Sequence, residues 1–340
     1  MSALAAGRWG NYSSDMKMRS VIRGAGGYVP GAPVTNDDLV ARGVDTSDEW
    51  IRERTGIGAR HIAAPDMLTS DLAVRASEAA LKNAGLAAAD IDLIILATTT
   101  PDLTFPATAV KVQASLGCRA GIPAFDLQAV CSGFIYALAT ANAYLKTGLA
   151  QRALVIGAEV MSRIIDWADR STCVLFGDGA GAVVLEAVPE AEAAGRGIIS
   201  IHLCADGSHI GRLQTDGGVG INQKAGFLRM DGKEVFRHAV NKLAEIIDIS
   251  LLKNNLKSID LDWLVPHQAN IRILESTAKK FGISMEQVIV TIHKHGNTSA
   301  ASVPLALTEG LADGRIRPGQ LCLLEAMGGG FTWGAVLVRI

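Results

Sequence analysis

Apolar and polar positions follow one another along this chain in an order that is spelled twice. The segment SDLAVRASEAALKNAGLAAADIDLIILATTTPD (70–102) reads as an amphipathic helix, a Gly turn, an acidic rim and the buried strand LIILAT. EVFRHAVNKLAEIIDISLLKNNLKSIDLDWLVPHQAN (234–270) repeats the order, with an Asn-rich turn, the same acidic rim and the strand WLV. Aligning Asp92 with Asp262 sets Ala97 opposite His267. Each segment then leads to a helix of small residues, CSGFIYALATANAYL (131–145) or NTSAASVPLALTEGL (297–311), and to an apolar strand, ALVIGAE or LCLLEAM. Each half closes on a Gly-rich approach to a last strand, FGDGAGAVVLEA (176–187) or GGGFTWGAVLVRI (328–340).

Alternating helices and buried strands predict an α/β fold of largely parallel sheets covered by helices, in two halves about a pseudo-twofold axis. Ligand sites in such folds gather at strand ends and between the halves. The expected organisation is a polar leader over 1–17, a first half over 18–190 and a second half over 191–340. MSALAAGRWGNYSSD lacks the apolar core of a signal peptide, and strand-like order starts at RSVIRGAGGYVP (19–30). The first half carries an additional stretch, MSRIIDWADRSTCVL (161–175), and long loops of this kind are often functional.

Composition narrows the picture. Apolar residues make up 49% and charged residues 19% of 340, which describes a globular chain with a large core. A net charge of −2 gives no global field for nucleic acid or an anionic membrane. The five cysteines (118, 131, 173, 204 and 322) show no C-x-x-C spacing, so neither a zinc ribbon nor a redox pair is indicated, and a reducing cytoplasm is the expected compartment. No apolar run approaches the length of a membrane span.

Candidate chemistry begins at Cys131. It opens an apolar helix, where free N–H groups and the macrodipole lower a thiol's pKa; the alternative is a small side chain filling a gap. His267 ends a strand in VPHQAN, as a cap or as a chemical group. Asn297, in HKHGNTSAAS, precedes a helix as an N-cap or as an amide donor. His293 and His295 lack a third ligand at metal spacing and read as structural. GDGAGA (177–182) leads into a strand, not a helix, and so lacks the setting of a dinucleotide fingerprint. If the halves face each other, Cys131, His267 and Asn297 converge as an acyl-transfer set, with the Cys131 amide and MGGGF (327–331) as oxyanion donors.

At these residues the sequence resembles the β-ketoacyl-acyl-carrier-protein synthase III family of the thiolase-like superfamily, from Met18 to Ile340. The motifs that carry the resemblance are DTSDEWIRERTGI, FGDGAGA, DWLVPHQAN, HGNTSAAS and EAMGGGFTWG. It implies a five-layer αβαβα fold, a homodimer, and condensation of a short acyl-CoA, leaning to acetyl-CoA, with malonyl-acyl carrier protein. No cofactor or metal is implied, since both thioesters are substrates.

Residue by residue, the resemblance makes Cys131 the nucleophile, with His267 and Asn297 completing the catalytic set and the Cys131 and Gly329 amides forming the oxyanion hole. Trp50 and Arg170 match residues that sandwich the CoA adenine, Arg54 a phosphate contact and Asn270 a pantetheine contact. Phe105 and Met327 match the acyl pocket. Arg237, Arg272, Lys279 and Lys280 match the basic patch that receives the carrier protein. Two departures stand out: Met327 replaces a frequent Phe, and Gly58 replaces an Arg, which is expected to weaken one charge contact. The rival readings are a sister synthase making a polyketide, quinolone or ketone, and an inactive acyl-CoA-binding paralogue.

Overall fold

A computed structural model describes residues 17–340. The expected leader lies outside the described residues except for Lys17. The strands β1 (Met18–Tyr28), β2 (Leu93–Ala97), β3 (Ala124–Leu127), β4 (Arg152–Glu159) and β5 (Gly179–Pro189) form one sheet, ordered β1-β5-β4-β2-β3. The strands β6 (Gly197–Ala205), β7 (Trp263–Pro266), β8 (Leu321–Gly328) and β9 (Thr332–Arg339) form a second, ordered β6-β9-β8-β7. That is the first sheet's order without its last strand. Where β3 has no counterpart, Val288 makes a single parallel bridge to Leu264.

Alternation along the strands builds the layers. Leu93, Ile95 and Ala97 of β2 face inward with Phe134 and Leu138 of helix α4 (Gly133–Lys146). Val303 and Leu307 of a second central helix, Ser302–Ala312, share that core with Leu324 and Ala326 of β8. Ile94 and Leu96 point the other way, onto α2 (Thr69–Ala84) and α3 (Thr108–Leu116). On the far side, Leu321 and Leu323 pack against α5 (Gly232–Leu252) and α6 (Ile271–Phe281). The central Ser302–Ala312 helix is α7, and a short α1 (Asp48–Thr55) lies beside α6. The result is the five-layer αβαβα architecture of the thiolase-like fold. Burial of this kind is costly to lose, about 2–5 kcal/mol for a Leu→Ala change at a site such as Leu138.

The expectation of largely parallel sheets is corrected. β1–β5, β5–β4, β8–β9 and β9–β6 pair antiparallel, and only β4–β2, β2–β3 and β7–β8 are parallel. Every antiparallel pair involves the closing strand of its half, β5 or β9, and in the second half a short connection imposes it. β9 follows β8 after Gly329, Gly330 and Phe331, a connection too short for a parallel crossover.

Close approach of α7 to the first sheet depends on a glycine. A Cβ at Gly157 in β4 would overlap the Ala300 carbonyl just before α7. The central helix therefore sits almost on the strand backbone, and this brings the residues before it to the mid-plane between the halves.

Candidate active site

Cys131 lies in a single 3-10 turn, Val130–Ser132, between β3 and α4. Val130 has φ 49°, a left-handed conformation that is rare for a β-branched residue. The thiol is buried, 5% exposed. Its pKa is pushed up to about 12 by that burial; a hydrogen bond from Ser299 and its own backbone amide pull it down, and the Glu159 charge pushes it up. Desolvation of the thiolate thus works against the lowering expected at the helix end.

Asn297 is held by the additional stretch of the first half. Its N–H donates to the Leu175 carbonyl at 2.8 Å, and its own carbonyl accepts from the Gly177 N–H at 3.0 Å. Its side-chain Oδ1 accepts from the Ser299 N–H at 2.9 Å, so the Nδ2 group is the end left to donate into the cavity that Asn297 lines. Thr298 carries the residue before the turn, and Ser299 opens it with φ 50°. His267 follows β7, its N–H donating to the Glu325 carbonyl at 2.8 Å. Burial lowers its pKa to about 4, so the ring is neutral at pH 7. Its Nδ1 is enclosed without a partner, which leaves Nε2 as the cavity nitrogen.

Sequence reasoning missed the group behind these three. Ser299 Oγ donates to Glu159 Oε1 at 3.1 Å, and Glu159 also accepts from the backbone and hydroxyls of Thr99 and Thr100 and from the Thr98 hydroxyl. Its pKa is raised by burial and lowered by these bonds. The available signal was a polar run, TTT, and a lone Glu at the ends of two apolar strands that pair as neighbours, Ala97 opposite Gly157.

Cys131, His267 and Asn297 line one cavity of about 520 Å³, with Met161, Met230, Phe236 and Met327 among its apolar walls. Trp50, Arg54 and Asn270 line the same cavity. Gly328 lies hard against the nucleophile: a Cβ there would sit 2.6 Å from the Cys131 nitrogen. Gly329 follows on the same turn, where a Cβ would sit 2.8 Å from the Leu213 carbonyl oxygen. Asn270 caps α6, its Oδ1 accepting from the Arg272 N–H at 2.9 Å while its Nδ2 donates to the Arg54 carbonyl at 3.1 Å.

Three placements differ from expectation. Arg170 stands over Trp50 with its guanidinium carbon 5.0 Å from the ring centroid, so the two stack on each other and leave no gap for a base between them. Phe105 does not line the cavity of its own chain; its ring belongs to an exposed loop and is 82% exposed. At Gly58 an added Cβ would meet the Arg52 guanidinium at 2.6 Å, so Arg52 fills the space of the absent side chain and brings a cation there.

Arg237 on α5 and Arg272, Lys279 and Lys280 on α6 are all exposed, on two helices packed against each other. Arg237 pairs with Glu234 at 2.5 Å, whereas Arg272 donates to the Glu53 carbonyl at 3.0 Å and Lys280 to Asn241 at 3.3 Å. His295 is half-buried, with its Nδ1 enclosed and unpartnered and its pKa lowered to about 4 by desolvation. Among the described residues no group of three or more His, Cys, Asp or Glu is arranged to hold a metal ion.

Comparison with known proteins places these features. Residues 125–207 match the 3-oxoacyl-[acyl-carrier-protein] synthase III family profile, and residues 251–340 match its C-terminal profile. The β-ketoacyl-[acyl-carrier-protein] synthase III of Rhodospirillum rubrum is 62% identical over 323 residues, spanning 95% of this chain and 99% of the relative. That of Rhodospirillum centenum is 60% identical over 324 residues, spanning 95% and 100%. The crystal structure of 3-oxoacyl-[acyl-carrier-protein] synthase III from Aquifex aeolicus superposes with a TM-score of 0.88 at 47% identity, covering 94% of this chain and 100% of that one.

Proposed function

The chain belongs to the β-ketoacyl-acyl-carrier-protein synthase III family, and on that premise we propose how its own residues carry the reaction. It is an acyltransferase of the initiating step of type II fatty-acid synthesis. The observation that carries the residue assignment is that Cys131, from one half, and His267 and Asn297, from the other, line a single cavity.

Acetyl-CoA enters past Trp50 and Arg54, and its adenine separates the Trp50–Arg170 stack to lie between the two. Such a move exchanges one cation–π contact for stacking on both faces. Cys131 Sγ attacks the thioester carbonyl, the C–S bond to CoA breaks, and the Cys131 proton leaves with the CoA thiol. The oxyanion formed on the way is met by the Cys131 and Gly329 amides. Forming the thiolate only as the bond forms suits a thiol whose resting pKa is near 12.

Malonyl-acyl carrier protein then docks on the exposed cations Arg237, Arg272, Lys279 and Lys280, an electrostatic fit to an acidic partner. Loss of CO2 leaves charge on the thioester oxygen. The neutral His267 ring and the Asn297 amide donate hydrogen bonds to it, a task for fixed donors and not for a base. The carbanion attacks the acyl-cysteine, the C–S bond to Cys131 breaks, and the sulfur takes up one proton. Products are β-ketoacyl-carrier protein, CO2 and the free thiol. No cofactor takes part.

A homodimer is part of the proposal. Leu103, Phe105, Val219 and Ile221 are exposed apolar side chains, and β3 is an edge strand with one side unpaired. No described helix is long and apolar enough to cross a membrane. All five cysteines are unpaired, which suits the cytoplasm.

The test is to incubate the protein with radiolabelled acetyl-CoA and longer acyl-CoAs, map the label, and chase with malonyl-carrier protein. Acetyl label on Cys131 that moves into acetoacetyl-carrier protein is the expected result. Label from long or branched donors alone would overturn the primer, and none on Cys131 would overturn the mechanism.

A further inference from the structure

The two amides assigned to the oxyanion hole sit on segments from different halves: the Val130–Ser132 turn and the turn joining β8 to β9. A pair of hydroxyls that no chemical step uses ties these segments together. Ser132 Oγ lies 2.8 Å from Thr332 Oγ1, although 200 positions separate them in sequence. Both hydroxyls also reach the Ala129 carbonyl, at 2.7 and 3.0 Å, and Thr332 Oγ1 lies 3.3 Å from the Gly329 carbonyl. Each hydroxyl has one proton to give. Ser132 donating to Thr332, and Thr332 to Ala129, uses both and links the halves in a chain.

The carbonyl held is that of Ala129, beside the first donor, and Thr332 itself follows the second donor by three residues. Ala129 stands two residues before the nucleophile, and the plane of its peptide, with the left-handed Val130 next in line, fixes where the Cys131 amide points. The Gly329 carbonyl ends the residue whose own N–H is the second donor. Ser132 is fully buried, so solvent is not at hand to replace a lost partner. The far side of the turn is anchored separately: the Phe331 N–H donates to the Asp206 carbonyl at 2.7 Å and the Asp206 N–H to the Phe331 carbonyl at 2.8 Å. Removing a hydroxyl therefore tilts the turn without releasing it.

We propose that Ser132 and Thr332 are positioning residues for acyl transfer, their hydroxyl pair setting the separation of the Cys131 and Gly329 amides. The proposal rests on the reading of Cys131 as nucleophile. It concerns one set of donors only, since neither His267 nor Asn297 hydrogen-bonds to the pair. Displacing a preorganised donor by a fraction of an ångström weakens it most in the transition state, so the loss falls on the rate and not on binding.

The test uses Thr332→Val, which keeps the shape, Thr332→Ser, which restores the hydroxyl, and Ser132→Ala. Three rates are read on the full chain: single-turnover acetylation of Cys131, decarboxylation of malonyl-carrier protein without primer, and alkylation of Cys131 by iodoacetamide, which forms no oxyanion. Thr332→Val and Ser132→Ala are expected to slow acetylation about ten-fold with the acetyl-CoA KM unchanged. Decarboxylation and alkylation stay within about two-fold, and Thr332→Ser recovers most of the rate. Equal loss in all three rates, or no loss of acetylation, would overturn the proposal. Wild-type protein left unlabelled at Cys131 would overturn the underlying reading and the proposal with it.

Discussion

The two turns that open the central helices, Val130–Ser132 before α4 and Ser299–Ala301 before α7, are the same device used twice. Each is one 3-10 turn, and each starts on a non-glycine residue with a left-handed φ, 49° at Val130 and 50° at Ser299. The first carries a thiol, buried at the wall of the cavity, where desolvation raises its pKa. The second carries no nucleophile; it follows Asn297, and Ser299 gives its N–H to Asn297 and its hydroxyl proton to Glu159. Duplication supplied the geometry, and the chemistry divides unequally across it. One turn gives electrons and the other gives hydrogen bonds.

The largest blow to this division comes from Cys131→Ala. Acyl-enzyme and condensation are expected to disappear, a fall of about 10⁴-fold or more, measured with labelled acetyl-CoA. Primer-independent decarboxylation of malonyl thioester persists, because its donors lie at the other turn. Loss of both activities would break the comparison.

Asn297→Ala strikes the opposite side. Decarboxylation falls by about 10²–10³-fold, the loss typical of one oxyanion donor, while acetylation of Cys131 falls far less. His267→Ala has the same pattern. With the His267 pKa near 4, its ring is neutral from pH 5 to 8 and becomes a cation only as pH falls towards 4. Wild-type decarboxylation is thus expected to show no histidine limb across that range.

The Trp50–Arg170 stack sharpens the account of substrate entry. Arg170→Ala should raise the acetyl-CoA KM by about 5–20-fold, on the scale of a desolvated cation–π contact, with little change in kcat. S-acetyl-pantetheine, which has no adenine, should respond to neither Arg170→Ala nor Trp50→Ala.

Ser299→Ala has the smallest effect. The single Ser299 hydroxyl proton serves either Glu159 or the Cys131 sulfur, and when turned to the sulfur it lowers the Cys131 pKa, so removing it raises an already high value further. Iodoacetamide alkylation followed against pH is expected to move to higher pH, with a rate lower by a few-fold at any fixed pH below the transition. A shift to lower pH would mean that relief from Glu159 outweighs the lost bond.

Much of this was legible in the chain. The doubled order of helix, strand and small-residue helix announced two similar halves, and Cys131, His267 and Asn297 stood at strand ends and helix starts. What pattern alone could not supply depended on three-dimensional closeness. Strand direction went astray because periodicity is blind to direction, which in the second half a three-residue connection decides. The thiol's pKa was half legible: a helix end is visible in sequence, but the desolvation that opposes it belongs to the packed interior. Glu159 and Ser299, 140 positions apart, become neighbours only when Gly157 lets α7 settle on β4. Phe105 was read from a motif, and a motif does not say which surface its residue faces.

The turn that presses Gly328 against the Cys131 nitrogen is synthesised about 200 residues after the nucleophile itself. The nucleophile is therefore made long before its partners. A nascent chain holding the whole first half carries a thiol with neither His267, Asn297 nor the glycine turn beside it. Contacts spanning so much sequence form late in folding, since loop closure must be met before they give any return. Reactivity is thus scheduled: acylation awaits the turn between β8 and β9, and losing β9 alone would silence a nucleophile made long before it.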